Sequence, residues 1–440
     1  MTAFTSTRRA RLVRVLSARW QRRAIFLLGG IVVGTAAVGL AIAADAAQQA
    51  FRLLLAHWRY ASLLATPVGF ALSVHLTNRY FRNSQGSGIP QAIAARALRE
   101  QAERGRLVSI RIAVGKILLT LLGLLCGASA GREGPTVQVG ASIMFAIGRM
   151  SPRRQPGLIL AGAAAGVAAA FNTPLAGIVF GIEEMSRAFE VRTSGLIIGG
   201  VIAAGLTSMA LVGDYTYFGT TSAMLETGLD WLAIPLCGVL GGLAGGVFSR
   251  ILIVAASGLP GRVGRAIKAH PVPFAGLCGL AVALCGLVSG DTVYGTGYDQ
   301  VKAALASGAP LPWSFGLLKL AATALSAVSG IPGGIFSPSL AVGAGLGLNV
   351  APLFPAAPVG VLILLGMVSY FAGVVQAPIT AFVIVTEMTD NHAMLVPLMA
   401  AALIASSTSR LVCPEGVYHA LAKNFLRPAT PPAEAGAGRT

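Results

Sequence analysis

Glu133 is the acid with the most chemistry open to it. It sits in Gly131-Arg132-Glu133-Gly134-Pro135, and neither flank, residues 117–131 or 134–148, carries a charged side chain. As a helix each flank would be about 22 Å long, short of a comfortable bilayer crossing. An ionisable pair within so long an apolar span is costly in lipid and belongs beside a pathway or cavity. Pro135 suits the first turn of a helix, where its missing N–H is no loss, and Gly131 and Gly134 let the chain turn sharply before it. The N–H groups of such a turn attract anions. A carboxylate held there can fill an anion site itself, or leave it when protonated. The bland alternative for this motif alone is an N-cap Glu in an extramembrane turn.

Three further stretches carry polar groups in similar settings. Gly86-Ser87-Gly88-Ile89-Pro90 again places Pro90 at a helix start behind the flexible Gly86 and Gly88, so Ser87 offers either a hydroxyl to that opening or an ordinary N-cap. Tyr418 follows the Pro/Gly break of Cys413-Pro-Glu-Gly-Val-Tyr418. It either carries a hydroxyl inward or anchors the chain at a membrane interface. The pair Glu183-Glu184 follows Asn172-Thr173-Pro174; it is either a solvated helix end or, as interior acids generally are, functional.

The elements that must position these groups form an internal repeat. Lys116-Ile-Leu-Leu-Thr120 recurs 203 residues later as Lys319-Leu-Ala-Ala-Thr323, and Pro135-Thr-Val-Gln-Val-Gly-Ala141 recurs at the same offset as Pro338-Ser-Leu-Ala-Val-Gly-Ala344. Pro174 precedes Glu183 by nine residues, as Pro378 precedes Glu387. The register implies two transmembrane halves, residues 24–212 and 230–427, with a linker at 213–229. Gly/Pro-interrupted segments at matching places in two such halves point to a site at the repeat interface. The second-half counterpart of the Glu133 motif, Gly333-Gly334-Ile335-Phe336-Ser337-Pro338, lacks the Arg-Glu pair. It presents only backbone N–H groups and an apolar side chain. Glu183 and Glu387 share a position, which suggests a common structural job such as holding a helix end; Met388 stands opposite Glu184.

Composition sets the solvent. With 440 residues, 55% apolar and 11% charged, and a mean hydropathy of +0.74, the chain falls far below the roughly 25% charge of soluble domains. Apolar runs recur from about residue 24 to 405, which implies helices rather than a barrel. The net charge of +17 gathers at segment ends and linkers, the positive-inside pattern, and does not call for nucleic acid. Residues 1–23 hold seven Arg and no acid, which predicts a cytosolic N-terminal surface helix before a first crossing at 24–44. The next apolar run is 60–76. Residues 428–440 read as disordered, with no soluble regulatory domain expected beyond them. Five Cys without paired spacing read as core residues.

Taken together, GSGIP (86–90), GREGP (131–135), GGIFSP (333–338), FNTPLAG (171–177) with Glu183-Glu184, QAPIT (376–380) with TEMTD (386–390), and Tyr418 resemble the CLC family of chloride channels and chloride/proton exchangers over about residues 25–420. The resemblance implies an all-α membrane fold of two inverted-topology repeats with broken, tilted helices. It also implies a homodimer in a bacterial inner membrane, one anion pathway per subunit, and chloride and protons as the only cargo, with no cofactor or metal. It assigns the Ser87 and Tyr418 hydroxyls and the N–H groups of Ile335 and Phe336 to a central chloride. Gly86, Gly88, Pro90, Arg132, Gly134 and Gly334 shape the surrounding turns. Glu133 becomes the extracellular-side gate and proton carrier, and Glu184 the intracellular-side proton acceptor.

Within the family, Ser87 stands where nitrate-selective members carry Pro, and an intact GSGIP with Tyr418 argues against the fluoride-exporting branch. Glu184 favours an exchanger over a passive chloride channel, whose members generally have an apolar residue there. Gln91 and Ile93 stand where a bacterial exchanger pattern has two acids, so the inner proton route is expected to be wired differently. An intramembrane hydrolase using Ser87 is the alternative from another class. It lacks a visible base, since no His is placed for a Ser-His pair, and lacks the Gly-x-Ser-x-Gly elbow.

Overall fold

A computed structural model describes residues 2–150, 154–186, 191–213, 215–226 and 228–426; the tail expected at 428–440 lies outside the described residues. The first half comprises α1 (Thr2–His57), α2 (Ser62–Tyr80), α3 (Ile89–Ala97), α4 (Gln101–Leu107), α5 (Ile110–Leu125), α6 (Glu133–Ile147), α7 (Gln155–Phe171), α8 (Pro174–Phe180) with a π-helical turn at Gly181–Ser186, and α9 (Val191–Val212). The second comprises α10 (Ala233–Ser257), α11 (Gly261–Ala269), α12 (Pro271–Ser289), α13 (Tyr298–Ser307), α14 (Phe315–Val328), α15 (Phe336–Val350), α16 (Val359–Val375), α17 (Pro378–Thr389), α18 (Leu395–Val412) and α19 (Val417–Leu426). Among the described residues six helical stretches are long and apolar enough to cross a bilayer, and several shorter apolar helices accompany them. Helices satisfy their own backbone, so short ones are tolerated at depth where protein surrounds them.

The breaks fall where the sequence places Gly and Pro. Pro174 and Pro378 open α8 and α17, and Pro135 and Pro338 lie in the first turns of α6 and α15. The helices before α8 and α17 end at equivalent residues, Asn172 and Gln376, both with φ of +56°. Each side chain then bonds a distant carbonyl, Asn172 Nδ2 to Tyr215 at 2.9 Å and Gln376 Nε2 to Cys413 at 2.6 Å.

Packing repeats as the sequence does. α6 lies on α7 as α15 lies on α16, and α1 on α9 as α10 on α18. α7 and α16 form the centre, with almost every side chain buried. Close approach there depends on glycine: a Cβ on Gly140 would strike the Gly162 carbonyl, and one on the equivalent Gly343 the Gly366 carbonyl. Small residues at such crossings let dispersion and backbone proximity replace the hydrophobic driving force that lipid does not supply.

Two reciprocal contacts reveal the relation between the halves. Gly131 and Gly334, 203 residues apart, exchange N–H···O bonds of 2.7 Å in an antiparallel bridge. Glu183 accepts from the N–H groups of Ile379 and Thr380 at the start of α17, at 3.1 and 2.6 Å. Glu387 accepts from Leu175 and Ala176 at the start of α8, at 3.0 and 2.8 Å. Equivalent residues that contact each other mutually are the signature of a two-fold axis, and the antiparallel bridge runs the halves in opposite directions. The structural job expected of the shared Glu183/Glu387 position is thus helix capping, each acid capping the other half.

α1 differs from expectation. It runs unbroken from Thr2 to His57, so the expected N-terminal helix and the crossing at 24–44 form one helix that continues past residue 44. Within it Asp45 is met by Arg132, whose Nη1 lies 2.6 Å from both Asp45 Oδ1 and the Ala41 carbonyl. Arg132 accordingly pairs with α1, not with its neighbour Glu133.

Candidate functional site

The three motif loops are tied together by backbone bonds. Gly86 donates to the Ile331 carbonyl at 3.1 Å, Gly333 donates to Gly86 at 3.0 Å, and Gly131 pairs with Gly334. The starts of α3, α6 and α15 therefore converge, and the first N–H groups of a helix have no intrahelical acceptor. Glycine is required at this convergence. Gly88 has φ of +98°, and a Cβ on Gly134 would collide with Ser87 Oγ. A Cβ on Gly334 would sit 3.0 Å from the Gly134 nitrogen.

The Gly86–Ser87 loop is also held from below. Lys116 is fully buried, and its Nζ donates to the carbonyls of Ser84 at 2.6 Å and Gly86 at 2.7 Å. Its repeat partner Lys319 does the same for Val293 and Gly295, both at 2.7 Å. In each half a buried ammonium is solvated by a loop's carbonyls, which fixes that loop against the core.

A cavity of about 500 Å³ opens at this junction, its wall including Gly86, Ser87, Pro90, Ile335 and Tyr418. The Ser87 and Tyr418 hydroxyls lie near each other, yet each is buried without a well-formed hydrogen bond among the described residues. Phe336 lies off this wall. Its ring packs into an aromatic cluster, 4.4 Å from Phe371, 5.5 Å from Phe171 and 6.2 Å from Phe180 between centroids, so only its backbone is free to serve a ligand.

Glu133 is buried at the other side of the convergence. Its Oε1 accepts from Ser337 Oγ at 2.6 Å, in the first turn of α15, and lies 3.5 Å from the Tyr217 hydroxyl. Its Oε2 has no hydrogen-bond partner among the described residues. The carboxylate thus stands where the starts of α6 and α15 meet. Glu184 lies on the π-helical turn, buried, with Oε1 3.1 Å from His419 Nδ1. Both carboxylates are close enough to Tyr418 to act on it electrostatically. The buried hydroxyls of Ser87 and Tyr418 therefore lie within reach of two buried acids, Glu133 and Glu184.

Residues 69–410 match the family described as voltage gated chloride channel. The chain belongs to that family, the CLC proteins. Over 95% of this chain and 91% of the relative it is 33% identical to the "H(+)/Cl(-) exchange transporter ClcA" of Yersinia pseudotuberculosis serotype IB (strain PB1/+). Among solved structures it is similar to a slow cyanobacterial Cl⁻/H⁺ antiporter, with a TM-score of 0.78 and 26% identity, covering 92% of this chain and 98% of that one. A CLC-type fluoride/proton antiporter shares the fold, with a TM-score of 0.76 at 23% identity over 91% and 97% of the two chains.

Three residues of this CLC site were not anticipated from sequence. Tyr217 belongs to the stretch read as linker, 213–229, where no periodicity marks a buried residue; it is buried against Glu133 and the rings of Phe171 and Tyr298. Ser337 stood inside a quoted motif but without the acid that would have drawn attention to it. His419 reaches Glu184 across 235 positions; its adjacency to Tyr418 was the one available signal.

Proposed function

We propose that this protein exchanges chloride for protons across a membrane, with one anion held at the Ser87–Tyr418 gap and Glu133 as both gate and proton carrier. The observation that carries the reading is the position of the Glu133 carboxylate, docked on Ser337 where the starts of α6 and α15 meet and within reach of the buried Tyr418 hydroxyl. Neutral donors and helix ends bind chloride without trapping it as a fixed cation would. The donors are Ser87 Oγ, the Tyr418 hydroxyl and the N–H groups of Ile335 and Phe336. A proton on Glu133 removes the negative charge that competes with the anion, and releases the carboxylate from the helix ends. Glu184 exchanges that proton with the opposite side. Relatives named as H(+)/Cl(-) exchange transporters support both cargoes.

The reading extends to a homodimer in a bacterial inner membrane with a cytosolic N-terminus. The seven Arg of residues 1–23 support that orientation. Purified protein in liposomes under a chloride gradient, followed with chloride and pH electrodes together, tests the function. Chloride moving down its gradient should drive protons in the opposite sense against theirs. Chloride flux without protons at any pH from about 4 to about 8 would make the protein a passive channel.

Ser87→Ala and Tyr418→Phe each remove one hydroxyl from the anion. A hydrogen bond to a charged ligand is worth about 1.5–3 kcal/mol, so chloride affinity by isothermal titration should fall about 10- to 100-fold in each. Unchanged affinity in both variants would remove these hydroxyls from the anion site.

A further inference from the structure

The geometry points to His419 as a proton relay between an open cavity and Glu184, an inference that rests on the exchange reading above. His419 Nδ1 is 3.1 Å from Glu184 Oε1, and the two side chains are 16% and 5% exposed. The same histidine lines a second cavity, of about 310 Å³ and open on one side, together with Ile93, Arg96 and Ser186. Glu184 itself is buried. His419 touches both the cavity and Glu184, so it offers a proton a path between them.

Among the described residues, the neighbouring charged groups have partners of their own. From α3, Arg96 is engaged with the π-helical turn, donating to the Met185 carbonyl and Ser186 Oγ at 3.1 Å each. Ile93, also on α3, places an apolar side chain on the cavity wall, so the wall has no carboxylate there. Glu183, the neighbouring acid, is turned to the α17 N–H groups. One turn along α19, Lys423 is paired with Glu415 at 2.7 Å. Tyr418, adjacent to His419, faces the anion cavity instead.

Imidazole suits the step because one nitrogen can take a proton while the other gives one up. Cavity water protonates Nε2, and the Nδ1 proton passes to Glu184 Oε1, leaving a neutral ring. Once Glu184 has sent its proton inward, rotation of the ring returns an N–H to the Glu184 side. The reverse order delivers protons to the cavity. Since Tyr418 and His419 are consecutive in α19, any motion of that helix start acts on the anion site and the proton route together.

The test is proton and chloride flux from liposomes containing the full-length protein with His419→Asn, which keeps an N–H near the Nδ1 position, and with His419→Ala. Exposed His392→Gln is the control. Both His419 variants should lower the proton-to-chloride ratio about 10-fold or more. Imidazole added at millimolar concentration should restore part of the ratio in His419→Ala, a recovery that a merely structural role would not give. A wild-type ratio in His419→Asn would overturn the relay while leaving exchange intact. So would a lost ratio in His419→Ala that imidazole fails to raise. Wild-type protein that moves no protons would instead overturn the exchange reading itself.

Discussion

Glu133→Gln is expected to abolish proton transport while chloride still moves. The carboxylate is buried, with Oε1 2.6 Å from Ser337 Oγ and Oε2 unpaired among the described residues. Glutamine has the same shape and retains an oxygen to accept from Ser337, so the helix ends at Gly131 and Gly334 have no reason to separate. What is lost is the ability to alternate between a charged group that competes for the helix N-termini and a neutral one that does not. The variant is fixed in the neutral state. Proton flux driven by a chloride gradient should fall to the leak of protein-free vesicles, a loss of at least about 100-fold of the kind associated with removing a positioned proton carrier. Chloride efflux should persist and lose its dependence on a pH gradient. A variant that still drives protons uphill at the wild-type ratio would show that coupling runs through another acid.

Much of this arrangement was legible because membrane burial makes polar and helix-breaking residues conspicuous. The Gly-Pro motifs marked helix starts at 89, 133 and 336 to within the first turn. The offset of 203 brought Gly131 and Gly334 to mutual contact, and the shared position of Glu183 and Glu387 foretold a shared role. What was hidden depends on pairs of groups far apart in the chain. Arg132 and Asp45 stand 87 positions apart, and only the fold brings them together. His419 and Glu184 lie on opposite halves, joined by the contact of α19 with α3 and by the turn after α8. Lys116 read as a repeat marker; that its ammonium is solvated by the Ser84 and Gly86 carbonyls follows from a loop geometry that no periodicity encodes. Tyr217 shows the same limit, since aromatic residues in irregular segments carry no face preference.

The adjacent acids Glu183 and Glu184 should behave in opposite ways, although they are consecutive in the chain. Glu184→Gln is expected to stop proton flux and leave substantial chloride flux, because its buried carboxylate faces His419 and Tyr418 and has no equivalent acid in the second half, where Met388 stands. Glu183 points the other way, onto the N–H groups of Ile379 and Thr380, and Glu387 returns the contact to Leu175 and Ala176. The two caps are related by the two-fold axis, so their loss should be similar in size and roughly additive where the sites do not touch. Removing an N-terminal cap costs about 0.5–2 kcal/mol. Glu183→Gln, which keeps one acceptor oxygen, should therefore retain both fluxes, and Glu183→Ala or Glu387→Ala should lower the thermal unfolding midpoint in detergent while the proton-to-chloride ratio holds. The π-helical turn at Gly181–Ser186 is what sends successive side chains to these different tasks, in keeping with the frequency of such turns at functional positions. A changed ratio in Glu183→Gln with an unshifted unfolding midpoint would place Glu183 on the proton route and deny it the capping role. Proton flux surviving in Glu184→Gln would take Glu184, and His419 with it, off that route.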